Sequence, residues 1–295
     1  MSKQTIFRGA ATALITPLTP AGVDYEALGR LIDWQIGQGI DALVIAGTTG
    51  EGATLTYDEH QEVIRYSVER AAGRVPIIAG SGSNDTSRAI TLSRFSCEAG
   101  ADALLVVTPY YNKATQKGLI AMDNTIADAV DKPIILYNVP SRTGVGIEPS
   151  TYLALAEHPN IVGIKEANGN ISKIVETARL VGDKLDIYSG NDDQVVPILS
   201  MGGSGVISVL SNVMPAQTHE MCERFFKGDL TGAAKLQMDY LPLINALFSE
   251  VNPIPVKAAM AAMGWCENYL RLPLTPMEEA HWAKLKGIME GHGLI

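Results

Sequence analysis

The stretch Gly39-Ile40-Asp41-Ala42-Leu43-Val44 recurs with small changes as Gly100-Ala101-Asp102-Ala103-Leu104-Leu105. In each copy a glycine can end a helix in left-handed geometry, an aspartate turns the chain, and an apolar strand begins. The copies lie about two strand–helix units apart. Repeating units of this kind predict a parallel sheet with helices packed against it.

Apolar runs bounded by turn residues predict eight strands. They centre on 12–15, 42–46, 76–79, 103–107, 134–137, 161–165, 185–189 and 205–208. Amphipathic stretches separate the runs, and Thr56-Tyr57-Asp58-Glu59 is typical of a capping box that begins a helix. Eight such units at close intervals favour an α/β fold of the (β/α)8 TIM-barrel type. No Gly-x-Gly-x-x-Gly follows the first strand, which counts against a dinucleotide-binding fold.

The sequence after residue 209 predicts helices only, at 215–226, 230–248, 255–263 and 276–290. No linker rich in serine and glycine precedes them. We therefore predict a catalytic barrel over residues 1–225 and a helical region over 226–295 that packs against it.

Composition limits the location and partners of the protein. The 295 residues suit one barrel, and the net charge of −9 argues against binding to nucleic acid or to an anionic membrane. No apolar run is long enough for a transmembrane helix, and the short run before Thr16-Pro17 reads as a strand, not a signal peptide. Three distant cysteines and five histidines without ligand spacing predict a cytoplasmic protein with no disulfide and no metal.

Tyr137 and Lys165 close two successive predicted strands. Burial disfavours the charged form of a lysine, so an amine at this position becomes a nucleophile, and a neighbouring phenol can move protons. The pair predicts Schiff-base chemistry on a carbonyl compound. The alternative is a lysine that extends to solvent or pairs with Glu166.

Other polar residues follow predicted strands and so belong to the same end of the barrel. The loop Gly47-Thr48-Thr49-Gly50 can cradle a carboxylate, or its hydroxyls can cap the next helix. Arg142 can clamp a carboxylate with two hydrogen bonds, or form a surface ion pair. Tyr110 and Tyr111 are more typical of packing. The set fits a keto acid that reacts with a second acidic substrate.

Five segments, in order along the chain, resemble the dihydrodipicolinate synthase family. The first and fourth are shared with the wider group of pyruvate-dependent aldolases that includes N-acetylneuraminate lyase, whereas the segments with Arg142 and Asn252 are more particular to the synthase. The segments are Gly47-Thr48-Thr49-Gly50-Glu51, Thr108-Pro109-Tyr110-Tyr111-Asn112, Tyr137-Asn138-Val139-Pro140-Ser141-Arg142-Thr143-Gly144, Gly163-Ile164-Lys165-Glu166 and Asn252-Pro253-Ile254-Pro255-Val256-Lys257.

The resemblance implies a role for each matching residue. Lys165 would form an imine with pyruvate, and Thr48 and Thr49 would receive the pyruvate carboxylate. Tyr137 would be the general acid and base, linked through Thr49 to a Tyr111 that the neighbouring subunit supplies.

The resemblance also implies the second substrate and the assembly. Arg142 would face the carboxylate of L-aspartate 4-semialdehyde, and Ile207 would form part of the wall near the imine. The product would be 4-hydroxy-tetrahydrodipicolinate, made in the first committed step of diaminopimelate and lysine biosynthesis. The family needs no metal or organic cofactor and is usually a homotetramer built as a dimer of dimers.

Two other functions remain open on sequence. One is a class I aldolase that cleaves a sialic acid or a 2-keto-3-deoxy sugar acid, although such a site needs several hydroxyl partners where this chain offers Arg142. The other is a non-catalytic ligand-binding protein, against which Lys165, Tyr137 and Thr49 argue.

Lysine inhibits many members of the family at the dimer interface. Ala53, His60, Asn84 and Tyr110 fit that pattern, but Tyr57 stands in place of a histidine and Arg88 in place of a glutamate. Arg88 reverses the charge that would balance a cationic ligand. We therefore predict little or no inhibition by lysine.

Overall fold

The computed structural model describes residues 4–295, in which eight parallel strands close into a barrel. Two further short strands form a separate antiparallel pair. In chain order the ten strands are β1 (Gly9–Ala13), β2 (Leu18–Thr19), β3 (Gly22–Val23), β4 (Ala42–Ile45), β5 (Ile77–Gly80), β6 (Ala103–Val107), β7 (Ile134–Asn138), β8 (Ile161–Glu166), β9 (Asp186–Ser189) and β10 (Gly205–Ser208). Strands β2 and β3 are the separate pair, and β10 closes the barrel on β1.

Helices follow the barrel strands and then continue alone to the end of the chain. Single 3₁₀ turns at Asp192–Gln194 and Leu210–Asn212 follow β9 and β10. The helices are α1 (Tyr25–Gly37), α2 (Tyr57–Ala71), α3 (Thr86–Glu98), α4 (Gln116–Asp128), α5 (Pro140–Thr143), α6 (Pro149–Leu155), α7 (Ile171–Val181), α8 (Val195–Leu199), α9 (Pro215–Phe226), α10 (Leu230–Leu247), α11 (Ile254–Ala262) and α12 (Glu279–Gly291).

The predicted TIM barrel is confirmed, and most strand positions agree within a residue or two. The first strand differs, because it covers Gly9–Ala13 and not 12–15. Leu14 still bonds to the Val44 carbonyl, but the Ile15 amide donates to the side chain of Asn212, which ends the strand pairing. The hairpin of β2 and β3 was not predicted, since strands of two residues leave no periodic pattern.

Local sequence explains where the helices begin. The Thr56 side chain accepts from the Glu59 amide, and the Glu59 carboxylate accepts from the Thr56 amide, so the predicted capping box is confirmed. Asp24, Thr115 and Asn170 cap α1, α4 and α7 in the same general way. Such caps satisfy amides that the helix itself cannot bond.

Two layers of apolar side chains form the core. One layer lies between the barrel and its helices, and the other fills the barrel itself. Inside the barrel, Phe7 stacks on Tyr188 with ring centroids 4.3 Å apart, and the Tyr188 hydroxyl donates to the Phe7 carbonyl. Tyr137 and Ile207 belong to this inner layer.

The carboxyl-terminal helices pack on the barrel through buried polar contacts. Lys257 of α11 is fully buried, forms an ion pair with Glu51 and donates to the Thr16 carbonyl at 2.7 Å. Arg271 donates to both carboxylate oxygens of Glu59, at 2.6 and 2.5 Å. These contacts attach the carboxyl-terminal region to the loops after β1 and β4 and to the first turn of α2. The division at residues 225 and 226 stays a prediction, and none of the described helices has the length and hydropathy of a membrane span.

Candidate active site

Lys165 and Tyr137 are direct neighbours in the barrel, as their places at successive strand ends predict. Strands β7 and β8 pair in a register that sets Tyr137 opposite Lys165. The Lys165 ammonium nitrogen lies 4.3 Å from the centroid of the Tyr137 ring. Both side chains are buried, and only 5% of Lys165 is exposed.

Burial gives the Lys165 amine an unusual pKa. Loss of water around the group lowers the pKa of Lys165 to about 7, the carboxylate of Asp192 opposes this shift, and the charge of Arg142 adds to it. A large fraction of the amine is therefore neutral at neutral pH. A neutral amine is the form that attacks a carbonyl carbon.

The predicted alternative of a Lys165–Glu166 pair is wrong. Successive residues of a strand point to opposite faces, so Glu166 turns away from the barrel interior. Its carboxylate accepts from the Asn138 amide group at 3.0 and 3.1 Å and from the Tyr152 hydroxyl at 2.9 Å. Burial raises the pKa of Glu166 to about 7. Lys165 is thus left without this partner.

The loop after β4 places both threonines beside other polar groups of the site. Burial raises the pKa of the Tyr137 hydroxyl, and the charge of Arg142 and the side chain of Thr48 partly oppose that shift. Thr49 accepts from the side-chain amide of Asn252 at 3.0 Å. The helix that follows is capped by Thr56, so the alternative in which Thr48 and Thr49 cap it is wrong.

Close packing fixes the shape of this loop. A Cβ atom on Gly50 would lie 3.1 Å from the Ala46 backbone and from the Leu14 carbonyl, so a side chain there would press on the backbone of both neighbours. The Thr16 hydroxyl also donates to the Gly50 carbonyl at 2.7 Å. The loop is therefore held before any ligand arrives.

Arg142 stands at the mouth of the site on the short helix α5. Its guanidinium donates to the main-chain carbonyl of Asn252 at 3.2 Å. The ion pairs of residues 4–295 do not include Arg142, so the alternative of a surface ion pair is wrong. The guanidinium keeps donors free for a ligand carboxylate.

A cavity of about 400 Å³ lies beside Tyr137 and Arg142, and Lys165 is behind its wall and does not line it. Thr48, Tyr137, Arg142 and Asn252 lie at one part of its wall. His60, Ser83, Arg88 and Tyr110 lie at another. Residues of the carboxyl-terminal region, among them Pro253 and Pro273, complete the wall, so the cavity forms only when that region packs on the barrel.

Comparison with known proteins identifies the family. The model of the dihydrodipicolinate synthetase family matches residues 6–291. A 4-hydroxy-tetrahydrodipicolinate synthase of Lachnoclostridium phytofermentans is 55% identical over 292 residues, which cover 98% of this chain and 99% of that protein. The chain belongs to the dihydrodipicolinate synthetase family. It is accordingly an enzyme of the lyase class.

Two solved structures of the family are close to this fold. A chloride-inhibited dihydrodipicolinate synthase of Acinetobacter baumannii, complexed with pyruvate, has a TM-score of 0.96 at 43% identity and covers 99% of this chain and 100% of that chain. A DHDPS of Cyanidioschyzon merolae with lysine bound has a TM-score of 0.95 at 40% identity, with the same coverage. The barrel and its carboxyl-terminal helices are therefore those of the family.

Tyr111 does not reach the site of its own chain. It is 92% exposed, with a backbone φ of 71°. Tyr110 lines the cavity and is much less exposed. The family resemblance implies that Tyr111 enters a neighbouring site, and an aromatic side chain this exposed is consistent with an interface position.

Two polar residues of the site were not predicted. Asn252 connects Thr49 with Arg142, and Asp192 lies buried near Lys165. The signal for Asn252 was the Asn-Pro-Ile-Pro segment, but this pattern does not reveal what the Asn252 side chain contacts. The signal for Asp192 was an acidic pair, Asp192 and Asp193, that follows the seventh barrel strand after two residues.

Proposed function

We propose that this enzyme condenses pyruvate with L-aspartate 4-semialdehyde to give 4-hydroxy-tetrahydrodipicolinate, the first committed step of diaminopimelate and lysine biosynthesis. The observation that carries the proposal is the buried Lys165 amine, with a pKa of about 7, packed against Tyr137 at the carboxyl ends of adjacent strands. The arginine at the mouth supports an acidic second substrate. A sialic acid or sugar acid would need several hydroxyl partners in place of this one guanidinium.

Lys165 begins the reaction by attacking the keto carbon of pyruvate. A C–N bond forms, water leaves, and a protonated imine results. The loop with Thr48 and Thr49 supplies hydroxyls and main-chain amides for the pyruvate carboxylate. Ile207, buried on β10 in the same inner layer as Tyr137, forms part of the apolar wall.

Tyr137 then moves protons. The imine cation accepts the electron pair of a methyl C–H bond, so an enamine forms as the proton leaves. Thr48 partly opposes the rise that burial causes in the pKa of the Tyr137 hydroxyl, and the Thr49 oxygen accepts from the Asn252 side chain, which leaves the Thr49 proton available. The proposed relay is the one that the resemblance implies, in which Thr49 links Tyr137 to Tyr111.

The enamine adds to the aldehyde of the second substrate and forms a C–C bond. The substrate's own amine next attacks the imine carbon, which releases Lys165 and closes the ring. These steps require no metal or organic cofactor. Arg142 orients the second substrate by its carboxylate.

The assembly and location are also proposals. We infer a homotetramer built as a dimer of dimers, in which Tyr111 of one chain completes the relay of its neighbour. The three free cysteines, Cys97, Cys222 and Cys266, favour the reducing cytoplasm. The net charge of −9 gives no support to a nucleic-acid or membrane partner.

Arg142→Ala should leave imine formation with pyruvate intact and impair use of aspartate semialdehyde. Loss of a charge-assisted pair costs about 1.5–3 kcal/mol, or roughly a ten- to hundredfold loss in kcat/KM for that substrate. Arg142→Lys should recover part of the lost kcat/KM, because lysine keeps the positive charge but lacks the planar, paired donors of the guanidinium. Arg179→Ala, which removes an exposed arginine on α7, is the matched control. An unchanged kcat/KM in Arg142→Ala would remove Arg142 from this role.

Hybrid dimers test whether Tyr111 is shared. Tyr111→Phe and Lys165→Ala chains, each inactive alone, should give a hybrid with about half the wild-type activity, because one site then holds both intact groups. The control hybrid pairs wild type with a chain that carries both substitutions.

Sharing predicts that this control hybrid has low activity, because its one intact Lys165 faces the substituted tyrosine. Differently tagged chains, purified as verified hybrids, give the initial rates. The reverse pattern, an inactive first hybrid and a half-active control, would show that each site uses its own Tyr111.

Lysine should inhibit weakly or not at all. Arg88 lines the cavity, and the two nearby acids that could balance a cationic ligand already have partners, since Glu51 pairs with Lys257 and Glu59 with Arg271. Two like charges about 4 Å apart repel by roughly 4 kcal/mol at an effective dielectric constant near 20.

The measurement is the initial rate against L-lysine up to millimolar concentrations. Arg88→Glu should gain sensitivity, whereas Arg94→Glu, the same change on an exposed face of α3, should not. Half-inhibition of the wild-type enzyme well below one millimolar would contradict the role given to Arg88.

A further inference from the structure

Asp192 is a buried acid at the reactive end of the barrel. It begins the 3₁₀ turn after β9, the strand that pairs with β8 and sets Tyr188 opposite Lys165. Only 3% of Asp192 is exposed. Its neighbour Asp193 is exposed to solvent.

One oxygen of Asp192 is firmly held. Oδ2 accepts from the main-chain amides of Val209 and Leu210, each at 2.9 Å. These amides follow β10, so the carboxylate connects the ends of two adjacent barrel strands. Two hydrogen bonds from rigid backbone leave the side chain little freedom.

The other carboxylate oxygen of Asp192, Oδ1, has no hydrogen bond to hold it in the described part of the chain. Oδ1 is buried and has no hydrogen-bond partner within residues 4–295. Burial raises the pKa of the Asp192 carboxyl, and the nearby Ser208 hydroxyl opposes that shift, without a hydrogen bond of good geometry to Oδ1. A purely structural brace between strands would need Oδ2 alone, and a buried unpaired oxygen is costly.

Groups on three neighbouring elements set the electrostatic environment of Lys165. Arg142 on α5 repels a positive charge there, Tyr137 on β7 presents its ring, and Asp192 in the turn after β9 attracts that charge. The charge of Asp192 acts on Lys165 and on the Cys222 thiol of α9. Asp192 is therefore the anion that opposes both burial and Arg142 at the lysine.

We propose that Asp192 is a positioning residue for the Schiff base, whose fixed carboxylate balances the positive charge of Lys165 and then of the protonated imine. This inference rests on the proposed function, because it assigns Lys165 the imine. The buried anion stabilises each cationic species that occupies the end of the lysine side chain. No proton passes to or from Asp192 in this role.

The sign of the effect follows from the charge. Without the anion, the pKa of Lys165 falls further below its ordinary value, so the neutral amine persists to lower pH. The protonated imine also loses stabilisation, so pyruvate binds more weakly as the imine. One unit of pKa corresponds to a tenfold change in the equilibrium.

The test uses pyruvate alone with the whole enzyme and cyanoborohydride trapping. Asp192→Asn keeps an oxygen acceptor for Val209 and Leu210 but removes the charge. In a plot of trapping rate against pH, the acid side of the curve should shift to lower pH by about half to one unit. The pyruvate concentration for half-maximal trapping should rise roughly three- to tenfold. Asp193→Asn, the same change at an exposed neighbour, should alter neither. Asp192→Glu should return both values toward wild type.

Two results would overturn the proposal. One is an Asp192→Asn enzyme with a lower melting temperature but an unmoved pH limb and pyruvate dependence, as a brace alone predicts. The other is a carboxyl ¹³C resonance of Asp192 in the wild-type enzyme that does not move when the imine forms. Asp192→Glu assigns this resonance. The measurement does not depend on the folding of Asp192→Asn. If the wild-type enzyme itself traps no pyruvate, the proposed function has failed and not this inference.

Discussion

Burial of one amine at the carboxyl end of the barrel is the constraint on which the rest of the site depends. In water a lysine is almost wholly charged at neutral pH, and in this structure loss of solvent lowers its pKa to about 7. The fold fixes that position by setting Lys165 on β8 of the closed barrel, with Tyr137 opposite it on β7. Arg142 lowers the pKa further and Asp192 raises it, so the nucleophile depends on the balance of two neighbouring charges.

The frame around the amine is rigid because its polar groups are bonded to one another before substrate binds. Asn252 connects the threonine loop to Arg142, and the buried pair of Lys257 and Glu51 holds α11 against the same loop. A buried ion pair of this kind is expensive to break, since removal of one partner leaves the other charge uncompensated. The carboxyl-terminal helices are thus part of the site wall as well as of the fold.

The barrel could be predicted from the spacing of apolar runs along the sequence. The pairing of Lys165 with Tyr137 could be predicted because both residues end neighbouring strands. Apolar runs gave the strands, and parallel neighbours end at the same edge, so two strand-end residues had to meet. The polar neighbours of Thr48 and Thr49 could not be predicted, because a loop has no periodic sequence pattern that shows where its side chains point. Asn252 lies 203 positions from Thr49 along the chain, and only the folded molecule brings them together. The direction of Glu166, away from Lys165, was available from strand alternation alone.

The central claim is that Lys165 forms the imine, and peptide mapping after borohydride reduction with pyruvate tests it most directly. A reduced pyruvyl group should appear on Lys165, and Lys165→Ala should show no trapping. Lys257 serves as an internal comparison, because it is also buried but is held in an ion pair with Glu51. Adduct on Lys257 or Lys113, or full trapping in Lys165→Ala, would contradict the account.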